Sequence, residues 1–183
     1  MRILTLKSFF ILSVLFWAML VCRYDFHFVR GNSMLPSIYP KSLLMSDPFL
    51  DENKLVNGDI VILEVKGKLI LKRLIAQNGD LLSIKNSTWS LNGHEPEVCK
   101  TKEYTSQGKS WDIYCQAKES SEFKIQKIKV NHYFFMGDNR GNSVDSRHFG
   151  EVPKIQLKSK VVKIWEPESL LSKILYNLKA YWF

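Results

Sequence analysis

The sequence contains little cysteine and no spacing that is typical of a metal site. Three cysteines occur in 183 residues, and none belongs to a C-x-x-C motif. The four histidines (His27, His94, His132 and His148) lack the paired spacing that zinc ligands usually show. We therefore expect no metal ion and no other cofactor, and we expect each histidine to be structural or solvated.

Basic residues outnumber acidic residues. No internal repeat or low-complexity tract is visible in the sequence. There are 18 Asp and Glu against 26 Lys and Arg, which gives a formal net charge of +8. Such a charge suits either nucleic acid or an anionic membrane surface. Nothing besides the charge favours nucleic acid, whereas the N-terminus favours anionic lipid as a partner.

The N-terminus carries a long uncharged apolar run. It extends from Ser8 to Cys22 and is preceded by the basic residues Arg2 and Lys7. Its length fits either a signal peptide or a short transmembrane helix, which usually needs about 17–25 residues. No small-x-small cleavage pattern follows closely, so we predict an uncleaved anchor over residues 1–24. The positive-inside rule then places the rest of the chain outside the cytoplasm.

Two cysteines, Cys99 and Cys115, lie in the part predicted to be exported. Two cysteines in an oxidising compartment most simply form one disulfide. The segment between them, "KTKEYTSQGKSWDIY", is polar and reads as a loop. We therefore predict a polar insert over residues 95–120 with one disulfide.

The exported part has the pattern of a mainly β protein. "DIVILEV" and "KLILKRLIA" flank the turn "KGK", so residues 59–76 read as a β-hairpin. Further short apolar runs ("FHFVRG", "LLSIKN", "TWSLNGH", "HYFFM" and "SKVVKIW") are separated by turn residues. We predict an antiparallel sheet or barrel-like domain over residues 25–166. Residues 167–183 have helical spacing, and this amphipathic helix either packs on the sheet or lies in the membrane interface.

The stretch "LILKRLIAQNGD" places two cations inside an apolar strand. Strand alternation puts Ile70 and Lys72 on one face and Leu71 and Arg73 on the other. One of the two cations could face water, but not easily both. Burial of an ammonium group is costly unless the group is paired or loses its proton. Lys72 is therefore either a solvated lysine on an edge strand or a lysine kept neutral for chemistry.

Three segments of the chain resemble the sequence motifs, or boxes, of the bacterial type I signal peptidases and occur in the same order. They are "RGNSMLPS", the strand around Lys72, and "GDNRGNSVDSR". The resemblance extends from about Phe28 to Trp165 and includes "NGDLLSI…LNGHEP". It implies a serine endopeptidase in the bacterial inner membrane, with a single span and its catalytic domain on the periplasmic side. Its expected partners are the signal peptides of exported precursor proteins.

The resemblance also implies roles for particular residues. Ser33 would be the nucleophile and Lys72 the general base, which must be neutral to accept a proton. Ser143 would orient the lysine amine by a hydrogen bond. Asp145 and Arg147 would form a structural ion pair. The residues expected to shape the substrate pocket are Met34, Pro36 and Ile70.

Other positions in these boxes have less specific roles. Asp138, Asn139 and Arg140 would shape the third box, although ordinary turn chemistry explains the last two equally well. Gly31 stands where some family members carry a serine that joins the oxyanion hole, so this chain lacks that donor. His148 stands where an aromatic residue is commoner in the family.

The leading interpretation is removal of signal peptides from exported precursors by a Ser/Lys dyad. The alternative is a dedicated peptidase of a conjugative-transfer or pilus system with one or few substrates. A self-cleaving repressor is disfavoured because the chain has an apolar anchor in place of a DNA-binding domain. A non-catalytic membrane-tethered binding module is disfavoured because Ser33, Lys72 and Ser143 are all present.

Overall fold

The computed structural model describes residues 6–85, 88–94, 102–104, 110–113 and 123–166. The predicted disulfide between Cys99 and Cys115 and the predicted helix over residues 167–183 lie outside this part. The helices are α1 (Leu6–Arg23) and α2 (Ser146–Phe149), with 3-10 turns at Glu52–Lys54, Arg140–Asn142 and Lys154–Gln156. The strands are β1 (Asp25–Phe28), β2 (Leu43–Asp47), β3 (Ile60–Val65), β4 (Lys68–Gln77), β5 (Leu81–Lys85), β6 (Thr88–Leu91), β7 (Lys102–Tyr104), β8 (Ser110–Asp112), β9 (Phe123–Lys127), β10 (His132–Met136), β11 (Val152–Pro153) and β12 (Leu157–Trp165).

Helix α1 covers the apolar run at the N-terminus and leaves large apolar side chains exposed, among them Phe16 and Trp17. Its last residue, Arg23, forms an ion pair with Asp47 on β2 and lies over the ring of Phe49. These contacts attach the end of α1 to the sheet. Among the residues that the structure describes, no helix combines the length and hydropathy of a membrane span.

Seven strands form the main antiparallel sheet, in the order β1-β2-β12-β3-β4-β10-β11. The predicted mainly β class is therefore confirmed. The hairpin predicted over residues 59–76 is present as β3 and β4, in register from Ile60 opposite Arg73 to Val65 opposite Lys68. Its turn consists of Lys66 and Gly67, both with positive φ, as a two-residue hairpin requires.

The remaining described strands form two smaller sheets. One contains β6, β5 and β9, and the other pairs β7 with β8. The expectation that the segment between the two cysteines is a loop is therefore wrong for β7 and β8. Strands of three residues are too short to show an alternating pattern in the sequence, which explains the error.

The centre of the main sheet is buried on both faces. Phe134 and Phe135 are adjacent on β10 and both fully buried. Phe134 packs in one apolar cluster with Ile75, and Phe135 packs in another with Leu74. Because both faces are covered there, the two adjacent cations in the middle of β4 are nearly inaccessible to solvent: Lys72 is 4% exposed and Arg73 is 6% exposed.

Candidate active site

Ser33 lies in a tight turn that follows β1. The turn is closed by backbone hydrogen bonds from Leu35 to the Asn32 carbonyl (3.2 Å) and from Ile38 to the Met34 carbonyl (2.8 Å). Met34, Leu35 and Ile38 are almost fully buried. These apolar side chains hold the turn against the rest of the fold, so the position of Ser33 is set by the packing of the residues that follow it.

Lys72 reaches Ser33 from β4, which three strands separate from β1 in the order of the main sheet. The distance between Lys72 Nζ and Ser33 Oγ is 2.8 Å, although the residues are 39 positions apart in the chain. Burial lowers the pKa of the Lys72 ammonium from 10.5 to about 8, against the opposing effect of the nearby Asp145 and Asp138 carboxylates. A substantial fraction of the amine is therefore neutral slightly above neutral pH, as a general base requires.

Two carboxylates near the lysine are held by arginines. The Asp138 carboxylate accepts hydrogen bonds from Arg73 Nε (2.8 Å) and Nη2 (2.5 Å). The Asp145 carboxylate accepts from Arg147 Nε (2.9 Å) and Nη2 (2.9 Å). Because each carboxylate has its own guanidinium partner, neither needs Lys72 as a counterion.

Asp145 also organises the loop of the third box. Its carboxylate accepts a hydrogen bond from the Gly137 N–H (2.9 Å) and one from the Arg147 N–H (3.2 Å). Burial opposes ionisation of Asp145, but the hydrogen bonds and charge of Arg147 outweigh it and hold the pKa of the carboxyl below its ordinary value. His148 accepts from the Asp145 N–H (3.4 Å) in the capping box of α2, so this histidine has a structural role.

Asn139 connects the third box to the nucleophile turn. Its N–H donates to the Ser33 carbonyl (3.0 Å), and its side-chain amide donates to the Asn32 carbonyl (3.2 Å). Arg140 donates from Nε to the Gly137 carbonyl within the loop (2.9 Å). The sequence left Asn139 equally well explained as an ordinary turn residue, and only the folded chain shows its contact with the turn that carries Ser33.

Ser143 lies beside these groups but does not contact the lysine as expected. Its Oγ is buried without a hydrogen-bond partner, so the predicted bond to the Lys72 amine is not formed in this structure. A Cβ added to Gly137 would lie 2.2 Å from Ser143 Oγ and 2.5 Å from the Ser33 carbonyl oxygen. Glycine at 137 therefore allows the first and third boxes to pack closely, and an orienting role for Ser143 stays a prediction.

A cavity of about 300 Å³ opens beside Ser33 and Lys72. Of the residues expected to shape a substrate pocket, Met34 and Ile70 line it, whereas Pro36 is not among its lining residues and its role stays a prediction. Pro36 follows a cis peptide bond within the turn. The lining also includes His27, which no sequence pattern places near the dyad.

The strands on either side of the cavity have edges that an extended peptide could use. Strand β1 is the last strand at one margin of the main sheet. Strand β4 pairs with β3 from Lys68 onward, whereas its pairing with β10 begins only at Arg73. Among the described residues, no group of three or more His, Cys, Asp and Glu side chains is placed to hold a metal ion.

Comparison with known proteins gives concordant matches. The model of the family described as signal peptidase, peptidase S26, matches residues 2–166. The chain is 30% identical over 146 residues to signal peptidase I P of Bacillus subtilis subsp. natto, covering 78% of this chain and 77% of that protein. It is 32% identical over 139 residues to signal peptidase I S of Bacillus subtilis (strain 168), covering 72% and 71%.

A crystal structure of a signal peptidase I from Enterococcus faecalis V583 is also similar. Its sequence is 25% identical, the match covers 60% of this chain and 97% of that one, and the TM-score is 0.41.

Proposed function

The chain belongs to the signal peptidase family, peptidase S26, and on that premise we propose that it removes signal peptides from exported precursors with Ser33 as nucleophile and Lys72 as general base. The observation that carries these roles is the 2.8 Å contact between Lys72 Nζ and Ser33 Oγ, in which the lysine side chain is buried. The neutral amine takes the hydroxyl proton as Ser33 Oγ attacks the scissile carbonyl carbon. Lys72 then passes this proton to the leaving amine.

The second half of the reaction uses the same two groups. Cleavage leaves the signal peptide as an ester on Ser33, with Lys72 again neutral. Lys72 takes a proton from water, the resulting hydroxide attacks the ester carbonyl, and the proton returns to Ser33 Oγ as the acid product leaves. The enzyme is regenerated without a cofactor in this scheme.

The oxyanion would be stabilised by the backbone N–H of Ser33. Gly31 provides no side-chain donor, and a Cβ built there would meet nothing within 4 Å. The open space next to Gly31 leaves room for a water molecule or a substrate backbone group to supply the missing hydrogen bond. Loss of one such donor costs about 10²–10³ in rate in other enzymes, so a compensating donor is needed.

Ser143, Asp145 and Arg147 would support the dyad and not react themselves. The ion pair of Asp145 and Arg147 fixes the loop that carries Ser143, and Asn139 fixes this loop against the nucleophile turn. The buried Ser143 hydroxyl makes no hydrogen bond of good geometry, and it lies close enough to the Asp145 carboxylate to favour the ionised form of that group.

The substrate would bind as an extended strand in the cavity, between the free edge of β1 and the part of β4 that β10 leaves unpaired. Such binding takes its affinity from backbone hydrogen bonds and its specificity from pockets for alternate side chains. Met34 and Ile70 would form part of the apolar wall that accepts small residues before the cleaved bond.

Residues 1–24 would anchor the enzyme in the bacterial inner membrane, with the catalytic domain (residues 25–166) on the periplasmic side. The support is the uncharged run Ser8–Cys22 and the exposure of large apolar side chains along α1, including Phe9 (73%) and Trp17 (66%). The net charge of +8 favours contact with anionic lipids. The helix expected over residues 167–183 would add to this contact.

The proposal is tested by cleavage of purified precursors in liposomes by wild type, Ser33→Ala and Lys72→Ala between pH 6 and 10. We expect the wild type to cleave with kcat/KM rising through an apparent pKa of about 8, because the base acts only after it loses its proton. Each variant should lose at least about 10⁴-fold in kcat.

Undiminished cleavage by Lys72→Ala would contradict the assignment of the base. A panel of general and pilin-type precursors in the same assay separates a broad enzyme from a dedicated one, since a dedicated peptidase would cleave only one or few of them.

A further inference from the structure

The Asn139 side chain contacts the peptide group that carries the expected oxyanion donor. Its amide donates from Nδ2 to the Asn32 carbonyl (3.2 Å), and Asn139 itself is only 9% exposed. That carbonyl belongs to the same peptide group as the Ser33 N–H. The Leu35 N–H donates to it as well (3.2 Å). Two hydrogen bonds therefore hold the carbonyl end of this peptide group.

The direction of the Asn32 carbonyl sets the direction of the Ser33 N–H. The peptide bond between these two residues is trans. A trans peptide group is planar, and its C=O and N–H bonds point to opposite sides. Among the residues that the structure describes, no backbone carbonyl accepts a hydrogen bond from the Ser33 N–H. Ser33 lines the cavity, so this donor is left for a group that enters there.

We propose that Asn139 is a positioning residue that aims the Ser33 N–H at the oxyanion of the transition state. Hydrogen bonds accepted by a carbonyl also polarise its amide group, which strengthens the N–H as a donor. A donor held in place before the reaction stabilises the developing charge without reorganisation. Its aim matters more in this chain because Gly31 offers no side-chain donor. The inference rests on the proposed function and assigns to Asn139 one step of it.

This contact is separable from the attachment of the loop to the nucleophile turn. The backbone N–H of Asn139 donates to the Ser33 carbonyl (3.0 Å), and this bond does not depend on the side chain. The buried apolar residues after Ser33 also hold the turn. Lys72 reaches Ser33 from β4. Loss of the Asn139 amide should therefore release the peptide group before Ser33 without moving Ser33 Oγ away from Lys72.

The test uses a peptide aldehyde with the sequence that precedes a cleaved bond, and the corresponding peptide alcohol. Ser33 Oγ adds to the aldehyde carbon, the hydroxyl proton passes to the Lys72 amine, and the carbonyl oxygen becomes the oxyanion. The alcohol fills the same cavity but forms no bond to Ser33. The ratio of the two dissociation constants therefore reports stabilisation of the oxyanion. Both constants are measured on one preparation, so the ratio does not depend on the folded fraction.

We expect the preference for the aldehyde to fall roughly ten- to hundredfold in Asn139→Ala, less than the about 10²–10³ that complete loss of a donor costs. The kcat for precursor cleavage should fall by the same factor. Affinity for the alcohol and the apparent pKa of the rising limb, about 8, should not change. A purely structural role would move both, because a displaced turn alters the cavity and the contact with Lys72.

Three further variants complete the test. Asn139→Ser keeps a polar side chain but is too short to reach the Asn32 carbonyl, so it should repeat the loss seen in Asn139→Ala. Asn53→Ala makes the same substitution at an exposed asparagine in the 3-10 turn before β3 and should keep the wild-type preference. Ser33→Ala forms no adduct and should bind the aldehyde and the alcohol alike.

The outcomes separate this inference from the proposed function. Equal binding of aldehyde and alcohol by wild type overturns Ser33 as the nucleophile, and this inference with it. A wild-type preference for the aldehyde that both Asn139 variants retain overturns the inference alone. A loss of preference accompanied by weaker binding of the alcohol or a shifted rising limb also overturns it, because Asn139 would then only hold the turn in place.

Discussion

Two adjacent cations on opposite faces of strand β4 are buried alike but have different hydrogen-bond partners. Lys72 and Arg73 are both nearly inaccessible to solvent, at 4% and 6% exposure. Arg73 is held by the Asp138 carboxylate and the Gly58 carbonyl, so its charge is fully compensated. Lys72 has a neutral hydroxyl as its hydrogen-bond partner, and burial lowers its pKa to about 8.

The difference follows from the chemistry of the two cationic groups, a guanidinium and an ammonium. A guanidinium keeps its proton in proteins and matches a carboxylate in two-point geometry, so it suits a permanent structural pair. An ammonium loses its proton much more easily when it is buried, so it suits a base. One strand therefore carries a structural cation and a chemically active amine side by side, and three changes test this contrast.

The largest expected effect comes from the structural face. Replacement of Arg73 by Met leaves the buried Asp138 carboxylate without its partner, and we expect the free energy of unfolding to fall by about 3–5 kcal/mol. Urea unfolding followed by tryptophan fluorescence measures this change. Arg73→Met/Asp138→Leu removes both charges and should recover much of the loss. A single variant as stable as wild type would show that the pair is not needed for folding.

Removal of the cation on the other face of β4, Lys72, should instead raise the free energy of unfolding. At pH 7 wild type keeps a poorly compensated ammonium buried, because the folded pKa of about 8 lies below the ordinary value of 10.5. The unfolded chain binds more protons between these values, so wild-type stability rises with pH across this window. Lys72→Met should therefore be more stable than wild type by about 3 kcal/mol at pH 7.

The gain in stability of Lys72→Met over wild type should be complete below pH 8 and should shrink as the pH approaches 10.5. Unfolding curves at pH 7, 9 and 10.5 check this trend. A Lys72→Met variant that is less stable than wild type at pH 7 would mean that the lysine stabilises the fold. Lys54→Met, at an exposed lysine, is the matched control and should show no such pH dependence.

The smallest expected effect concerns coupling between the two faces. The Asp138 carboxylate raises the pKa of Lys72, so Asp138→Asn should move the rising limb of the kcat/KM profile to lower pH. The unpaired Arg73 charge adds to the shift in the same direction. Asp51→Asn removes a remote surface carboxylate and should leave the limb in place. A limb that moves to higher pH in Asp138→Asn would contradict this electrostatic account.

Local pattern predicted much of the fold. The hairpin of β3 and β4 follows from two apolar runs around Lys66 and Gly67, because the turn and the register are set by adjacent residues. Strand β2 was not predicted, although it occupies the position between β1 and β12. Its five residues include two polar ones and acquire their strand conformation from pairing with segments far away in the sequence.

The candidate site was likewise predicted only where a local sequence motif marks a residue. Ser33 and Lys72 were found because each stands in a distinctive local motif. His27 was not, because a histidine alternating with phenylalanines in a short strand looks like an ordinary half-buried residue. Met34 and Ile70 line the cavity as expected and Pro36 does not, since a cavity wall is assembled from several strands and its lining cannot be read from neighbours in the sequence.

The sequence by itself determined the mainly β class, the order of the three boxes and the apolar setting of Lys72, because these depend on residues close together in the chain. Only the tertiary structure decided that Lys72 meets Ser33 and that Arg73 meets Asp138, across 39 and 65 residues respectively. Both contacts require strand pairing and packing of distant segments. Burial, which lowers the pKa of the lysine, exists only after those segments have come together.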